Sequence, residues 1–361
     1  MASTTGSTTG ILALIGEAGL RDDVDRVAAA AGLQVVHAAE PSGRKAWAGA
    51  VAVLLDRETA RRCAQRSLPR RGGVVLVGQA EPRPADFQAA IAIGAQHVLT
   101  LPAQDGELMA ELSDAAEVAL QDGPRGAVLA VIAGRGGAGA SVFATALAET
   151  ASEVCEALLI DADPWSGGID LVVGIEAESG LRWPDLTLQG GRLNYAALRD
   201  ALPRHRGVSV LSGGRGGGDV EAAPLGALID AGSRGGATVV CDVPRRSTAA
   251  AETALESADL VVVVAPADVR SCAAAEGVAR WVSTLNPNAG VVVRGPAPGG
   301  LRSSDVAEIV GLPLLAAMRP QGGMAGALER GGLRLRRRSP LAVAARRVLS
   351  VLRQHPVVTP A

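Results

Sequence analysis

Short apolar runs recur along the first third of the chain, at Ile11–Ile15, Val35–Val36, Val51–Leu55 and Val74–Val77, with a weaker one at His97–Leu101. Between them, stretches such as Asp22–Ala31 and Pro84–Ile93 return apolar residues at helical spacing. This alternation predicts a parallel sheet with helices on both faces. A second series starts at Ala127–Ala133 and continues through Ala157–Ile160, Val208–Leu211, Thr238–Cys241, Leu260–Ala265, Val291–Val293 and Leu312–Leu315. The runs are β-branched and apolar on both faces, as buried parallel strands are. Asp122-Gly123-Pro124-Arg125-Gly126 interrupts the rhythm. The expected layout is an α/β unit over 11–122, a linker at 123–126 and a second α/β unit over 127–355. Residues 1–10 are expected to be disordered, and 356–361 to form a tail. Leu181–Asp200 reads as a helical, polar-faced insertion, and Leu341–Arg353 as an amphipathic helix closing the fold.

Composition narrows the picture. Apolar residues make up 48% of the 361 positions, enough for two cores, and the net charge of −2 gives no reason to expect bulk nucleic-acid binding. Cys63, Cys155, Cys241 and Cys272 are far apart and form no CxxC pair, so they read as small core residues in a reducing compartment. Residues 1–10 lack the basic start and apolar core of a signal peptide, and no apolar run reaches the roughly 18 residues of a membrane span. A cytoplasmic protein is expected.

The chemistry concentrates after the run at 127–133. Gly134-Arg135-Gly136-Gly137-Ala138-Gly139 is too glycine-rich for strand or helix, and Ala140-Ser141-Val142 opens a helical stretch. Strand, glycine loop and helix N-terminus together make a phosphate cradle: glycines let backbone N–H groups turn toward an anion, and the helix dipole favours negative charge there. A plain turn is the alternative reading. Two further runs end in carboxylates, at Asp161-Ala162-Asp163-Pro164 and at Asp242-Val243-Pro244. Gly213-Gly214-Arg215-Gly216-Gly217-Gly218 imitates a phosphate loop but lacks a terminal Lys, Ser or Thr, and reads as a flexible linker.

The loop resembles the deviant Walker A motif of the MinD/ParA ATPases, K-G-G-x-G-K-[ST]. Its glycines and the Mg²⁺-binding hydroxyl, Ser141, are kept. Arg135 stands at the signature lysine, which in that family reaches a partner's nucleotide across a dimer. Ala140 stands at the lysine that clamps the β- and γ-phosphates. The resemblance implies a P-loop NTPase-like fold binding ATP and Mg²⁺ through Gly134 to Val142. Asp161 would lie near the Mg²⁺ shell, Asp163 would position the attacking water, and Asp242 would hold the Mg²⁺ waters. Arg294 occupies the place of an asparagine that reads the adenine base, and Arg246 that of a glycine two residues past the switch II proline. Losing one charge-assisted phosphate contact costs about 1.5–3 kcal/mol, and losing a transition-state charge partner about 10²–10³ in rate. A weak ATPase at best is expected, with a scaffold that binds no nucleotide as the alternative.

Residues 11–122 resemble a degenerate receiver (flavodoxin-like) domain, with Asp56 where a receiver carries its phosphoacceptor. The acidic pair is reduced to Gly16-Glu17, the hydroxyl position falls near Gly78, and Leu101-Pro102 replaces Lys-Pro. A docking or dimerisation module is therefore expected in place of a phosphorelay. The two units in this order resemble the CpaE/TadZ proteins, in particular their septum-site-determining (Ssd) branch. That resemblance implies a homodimeric positioning factor with division or pilus/secretion proteins as partners. The arginine-rich C-terminal helix leaves three readings: a packed closing helix with solvated arginines, a peripheral contact with the inner face of the plasma membrane, or non-specific DNA contact. Specific nucleic-acid binding is not expected.

Overall fold

The computed structural model describes residues 10–354 apart from 42, 67, 69–70, 122–124, 187–192, 217 and 298. Most of the expected disordered N-terminus, Gly123 and Pro124 of the expected linker and the tail lie outside the described residues. The described chain falls into two compact units, 10–121 and 125–354.

The first unit runs β1 (Ile11–Leu14), α1 (Ala18–Ala30), β2 (Val35–His37), α2 (Arg44–Gly49), β3 (Val53–Leu55), α3 (Arg57–Ala64), β4 (Val74–Gly78), α4 (Pro84–Ile93), β5 (His97–Thr100) and α5 (Asp105–Gln121). Its strands are parallel in the order β2-β1-β3-β4-β5, the doubly wound arrangement expected of a receiver-like unit. Side chains alternate across the sheet. Ile11, Ala13, Leu54, Val75 and Val77 pack with α1 and α5 on one face, while Leu12, Leu14, Val53, Leu55 and Leu76 meet Trp47, Ala60, Cys63 and Ile93 on the other. The pattern of apolar positions does not reveal helices α2 and α3, because α3 buries only Thr59, Ala60 and Cys63 beside four charged neighbours.

The second unit continues with β6 (Val128–Ala133), α6 (Ala140–Ala151), β7 (Ala157–Asp161), α7 (Ile169–Val173), a 3₁₀ turn (Trp183–Asp185), α8 (Tyr195–Ala201), β8 (Arg204–His205), β9 (Val208–Leu211) and α9 (Ala222–Arg234). Then come β10 (Thr238–Val243), α10 (Ala249–Ser257), β11 (Leu260–Pro266), α11 (Val269–Leu285), β12 (Ala289–Arg294), α12 (Ser303–Val310), β13 (Leu314–Met318), α13 (Met324–Leu328) and α14 (Pro340–Gln354). The sheet order is β13-β12-β11-β6-β10-β7-β9-β8, parallel except for β8 at the edge. Along β6 the side chains alternate, Val128, Ala130 and Ile132 facing one core and Leu129 and Val131 the other. Because β6 sits between β10 and β11, its carboxyl end opens at a reversal of strand order, where parallel sheets form their ligand crevices.

Two sequence expectations are corrected here. The stretch 181–200 is not one helix: among its described residues only the 3₁₀ turn and α8 are helical, and Asn194 starts α8 by accepting the Ala197 N–H at 3.1 Å. The glycine-rich stretch at 213–218 is no linker, because two of its residues are tied into the unit. Gly213 donates its N–H to Asp161 Oδ2 (3.2 Å), and Arg215 grips Asp170 with both nitrogens (2.9 and 3.1 Å). Helix α14 packs Leu341, Ala344, Ala345, Val348 and Leu349 into the core beside α6. The apolar face that a membrane-surface helix would insert is thereby used internally. Among the described residues no helix is long and apolar enough to cross a membrane.

Candidate functional site

The glycine loop lies at the carboxyl end of β6, and its shape depends on residues without a side chain. Gly137 (φ +75°) and Gly139 (φ +94°) occupy the left-handed region, where a β-carbon is strained. A β-carbon on Gly136 or Gly137 would meet nothing within 4 Å, so the loop faces open space. Helix α6 begins at Ala140, and the N–H groups from Gly139 to Val142 find no backbone acceptor among the described residues. A cavity of about 760 Å³ opens over them, bounded also by Asp163, Trp165, Asp242 and the segment Val243–Arg246.

Asp161 ends β7, and Asp242, one residue before the end of β10, stands in register with it. Both are buried, Asp242 only 3% exposed. Burial and the neighbouring Asp161 charge push the Asp242 carboxyl up to about 8, against a hydrogen bond from Ser141. Burial also pushes Asp161 up, opposed by its four donors: Ser166 Oγ (2.7 Å), Gly213 N–H (3.2 Å) and Ile169 N–H (2.9 Å) on Oδ2, and Asp163 N–H (3.1 Å) on Oδ1. Asp161 thus organises the loop after β7. Asp163 faces the cavity and accepts the Trp165 N–H at 3.0 Å. Among the described residues no three His, Cys, Asp or Glu side chains gather as a metal cluster. A hydroxyl beside two carboxylates and a row of open amides is nonetheless the donor set that a nucleotide with its Mg²⁺ uses, most ligands to that ion being water and phosphate. The residues fit that group.

The sequence-predicted residues are therefore largely brought together, with Ala140 uncharged as expected and two arginines engaged within the chain. Ala140 is 6% exposed and offers no charge. Arg135 is engaged within its own chain: its guanidinium lies 3.5 Å from Asp268, which caps α11, and 3.4 Å from Ser271 Oγ, and its Nε donates to the Gly136 carbonyl at 3.4 Å. Arg294, expected at the base, donates to the Gly137 carbonyl at 3.2 Å and packs behind Gly139. Sequence reasoning missed Trp165, which is 70% exposed on the cavity rim, and Arg245. An apolar residue after Asp-Pro carries no signal of exposure. The cavity-lining role of Arg245 carries no signal in the sequence, where it stands beside Arg246, the position that the resemblance assigns to glycine. Cys155 also departs from expectation, being exposed while the other three cysteines are buried.

In the first unit Asp56 is the N-cap of α3. Its Oδ1 accepts the Thr59 N–H (2.8 Å) and hydroxyl (2.9 Å), and its Oδ2 accepts the Gly16 N–H (2.6 Å). Leu101, at the position of the receiver lysine, is fully buried.

Comparison with known proteins agrees with this architecture. Residues 14–123 match the family described as Rv3660c-like, CheY-like N-terminal domain. The chain is 59% identical over 341 residues to the protein Rv3660c of Mycobacterium tuberculosis (strain ATCC 25618 / H37Rv), covering 94% of this chain and 97% of that one. Among solved structures it resembles a ParA family ATPase from Chlorobium tepidum TLS (TM-score 0.54, 16% identity, 63% of this chain and 98% of that chain). It also resembles the septum site-determining protein MinD complexed with Mg-ADP from Pyrococcus horikoshii OT3 (TM-score 0.51, 15% identity, 63% and 95%). At these identities the likeness establishes the fold: a CheY-like unit followed by a MinD/ParA-like P-loop unit.

Proposed function

The chain belongs to the Rv3660c-like family, and from that premise we propose that it is a nucleotide-dependent spatial-positioning factor of CpaE/TadZ type, in the septum-site-determining branch. It would act in the cytoplasm, as a homodimer, in placing the septum or a Tad pilus/secretion machinery through division or secretion partners. The observation that carries this reading is the cavity where open amides of a glycine loop face Ser141, Asp163 and Asp242. Backbone N–H groups from Gly139 to Val142 would hold the phosphates, and Ser141 with Asp242 the Mg²⁺ and its waters. The ion supplies charge neutralisation to the phosphates. Asp163 stands where it can orient water, while Asp161 keeps its loop in place. Hydrolysis is slow or absent, because Ala140 brings no charge and Arg135 is paired within its own chain.

That pairing of Arg135 favours a second reading, a scaffold that binds no nucleotide. Calorimetric titration with ATP–Mg²⁺ separates the two. Micromolar binding by the wild type that Ser141→Ala abolishes supports the nucleotide reading; no heat of binding at all supports the scaffold.

A further inference from the structure

The glycine loop lacks its lysine, yet the cavity over it is not without positive charge. Of four arginines at or near the loop, only Arg245 and Arg246 line the cavity, and the situations of the four differ. Arg135 is held by Asp268 and Ser271, and Arg294 by the Gly137 carbonyl on the far side of the loop. Arg245 and Arg246 follow Pro244 after β10, are exposed, and line the same cavity as Gly136–Val142. Among the described residues neither has a hydrogen-bond or ion-pair partner. An exposed guanidinium stays protonated at any physiological pH and matches phosphate oxygens bidentately.

We propose that Arg245 and Arg246 supply, from the segment after β10, the phosphate-binding positive charge that Ala140 removes from the glycine loop. The assignment rests on the nucleotide reading above and deepens it: the ligand is a nucleoside polyphosphate held by loop amides and two guanidinium groups of one cavity. The charge has moved and is not lost. Asp242 and Asp163 share the cavity, but among the described residues neither forms an ion pair with Arg245 or Arg246. The position two residues after Pro244, which the family resemblance assigns to glycine, gains a charge in the same cavity where Ala140 loses it.

The test uses the full chain and ATP–Mg²⁺, read by calorimetry and by the fluorescence of Trp165 on the cavity rim, with Trp165→Phe as control. The double variant Arg245→Ala/Arg246→Ala should melt as the wild type does, since the two side chains hold nothing in place, yet lose roughly 10- to 150-fold in affinity, the value of a charge-assisted contact. Adding Ala140→Lys to the double variant should restore most of that loss, and should add less to the wild type. Equal binding by wild type and double variant overturns the relocation while leaving the nucleotide reading intact. Binding only by proteins that carry Ala140→Lys also overturns it, because the arginines would then not suffice. No binding by any of the proteins removes the nucleotide reading, and this assignment with it.

Discussion

Two sites in this chain carry an uncharged residue, Leu101 and Ala140, where the family resemblance would place a lysine, and the structure treats them in opposite ways. Around Asp56 the carboxylate is already committed within the unit. Both carboxylate oxygens are taken by Gly16 and Thr59, and Leu101 fills the lysine position with buried hydrocarbon. Around the glycine loop the remaining polar groups still face outward: amides without acceptors, a hydroxyl beside a carboxyl, and two arginines lining the same cavity. Loss of one catalytic charge therefore does not by itself retire a site. What matters is whether the groups left behind are satisfied within the protein. A satisfied Asp56 gives up hydrogen bonds to react, whereas the loop amides gain them by binding an anion.

Perturbing each side tests the contrast. The largest effect is expected where the open site is braced. Asp170 is buried, and although burial pushes its carboxyl up, Arg215, Ser212 and Arg182 outweigh that and hold it below the usual range. Asp170→Ala should destabilise the second unit by up to about 3 kcal/mol, the low end for a broken buried pair because Arg215 is half exposed. Urea denaturation measures this, and a loss within error would show that the clamp does not brace the site. Next, Gly139→Ala forces a β-carbon into φ +94°, 3.3 Å from Arg294, and should cost about 1–2 kcal/mol. It should also weaken ATP binding, since the amides beyond it would tilt; calorimetry on the variant reads both.

On the closed side, Asp56→Ala removes an N-cap and should cost the first unit about 1 kcal/mol, visible as a lower melting temperature. The wild type should take up no label from acetyl phosphate with Mg²⁺. Stoichiometric labelling at Asp56 would end the comparison. The smallest effect concerns acid. Arg57, next to Asp56, forms a bidentate pair with Asp86, and that hydrogen bonding holds the Asp86 carboxyl below its usual range against the push of burial. Because the folded value lies below the unfolded one of about 3.9, this stabilisation is present above that pH and is lost as pH falls through the folded value. Melting temperatures of the wild type should fall faster than those of Asp86→Asn on acidification below about pH 4. Parallel curves would show that the pair does not contribute.

Most strands were readable along the chain because parallel strands buried on both faces leave continuous β-branched runs bounded by turn residues, as in Leu260–Ala265. The glycine loop and the carboxylates at Asp161, Asp163 and Asp242 were readable because their spacing relative to those strands places them at one edge. The short helices α2 and α3 were not, since few of their positions are apolar. Nor were the roles of the arginines: a one-dimensional pattern records that a charge exists, not which carbonyl or carboxylate meets it.

The chain's own letters thus determined two α/β units, the order of their elements and the place where phosphate chemistry could occur. Periodicity and glycine conformation are local properties, set by neighbours a few residues away. Only the tertiary structure decided which polar groups are spent. Asp56 meets Gly16 across 40 positions, Arg135 meets Ser271 across 136, and Arg294 meets Gly137 across 157. Hydrogen bonds and ion pairs act over a few ångströms whatever the separation along the chain, so folding alone determines which site is closed and which remains able to bind.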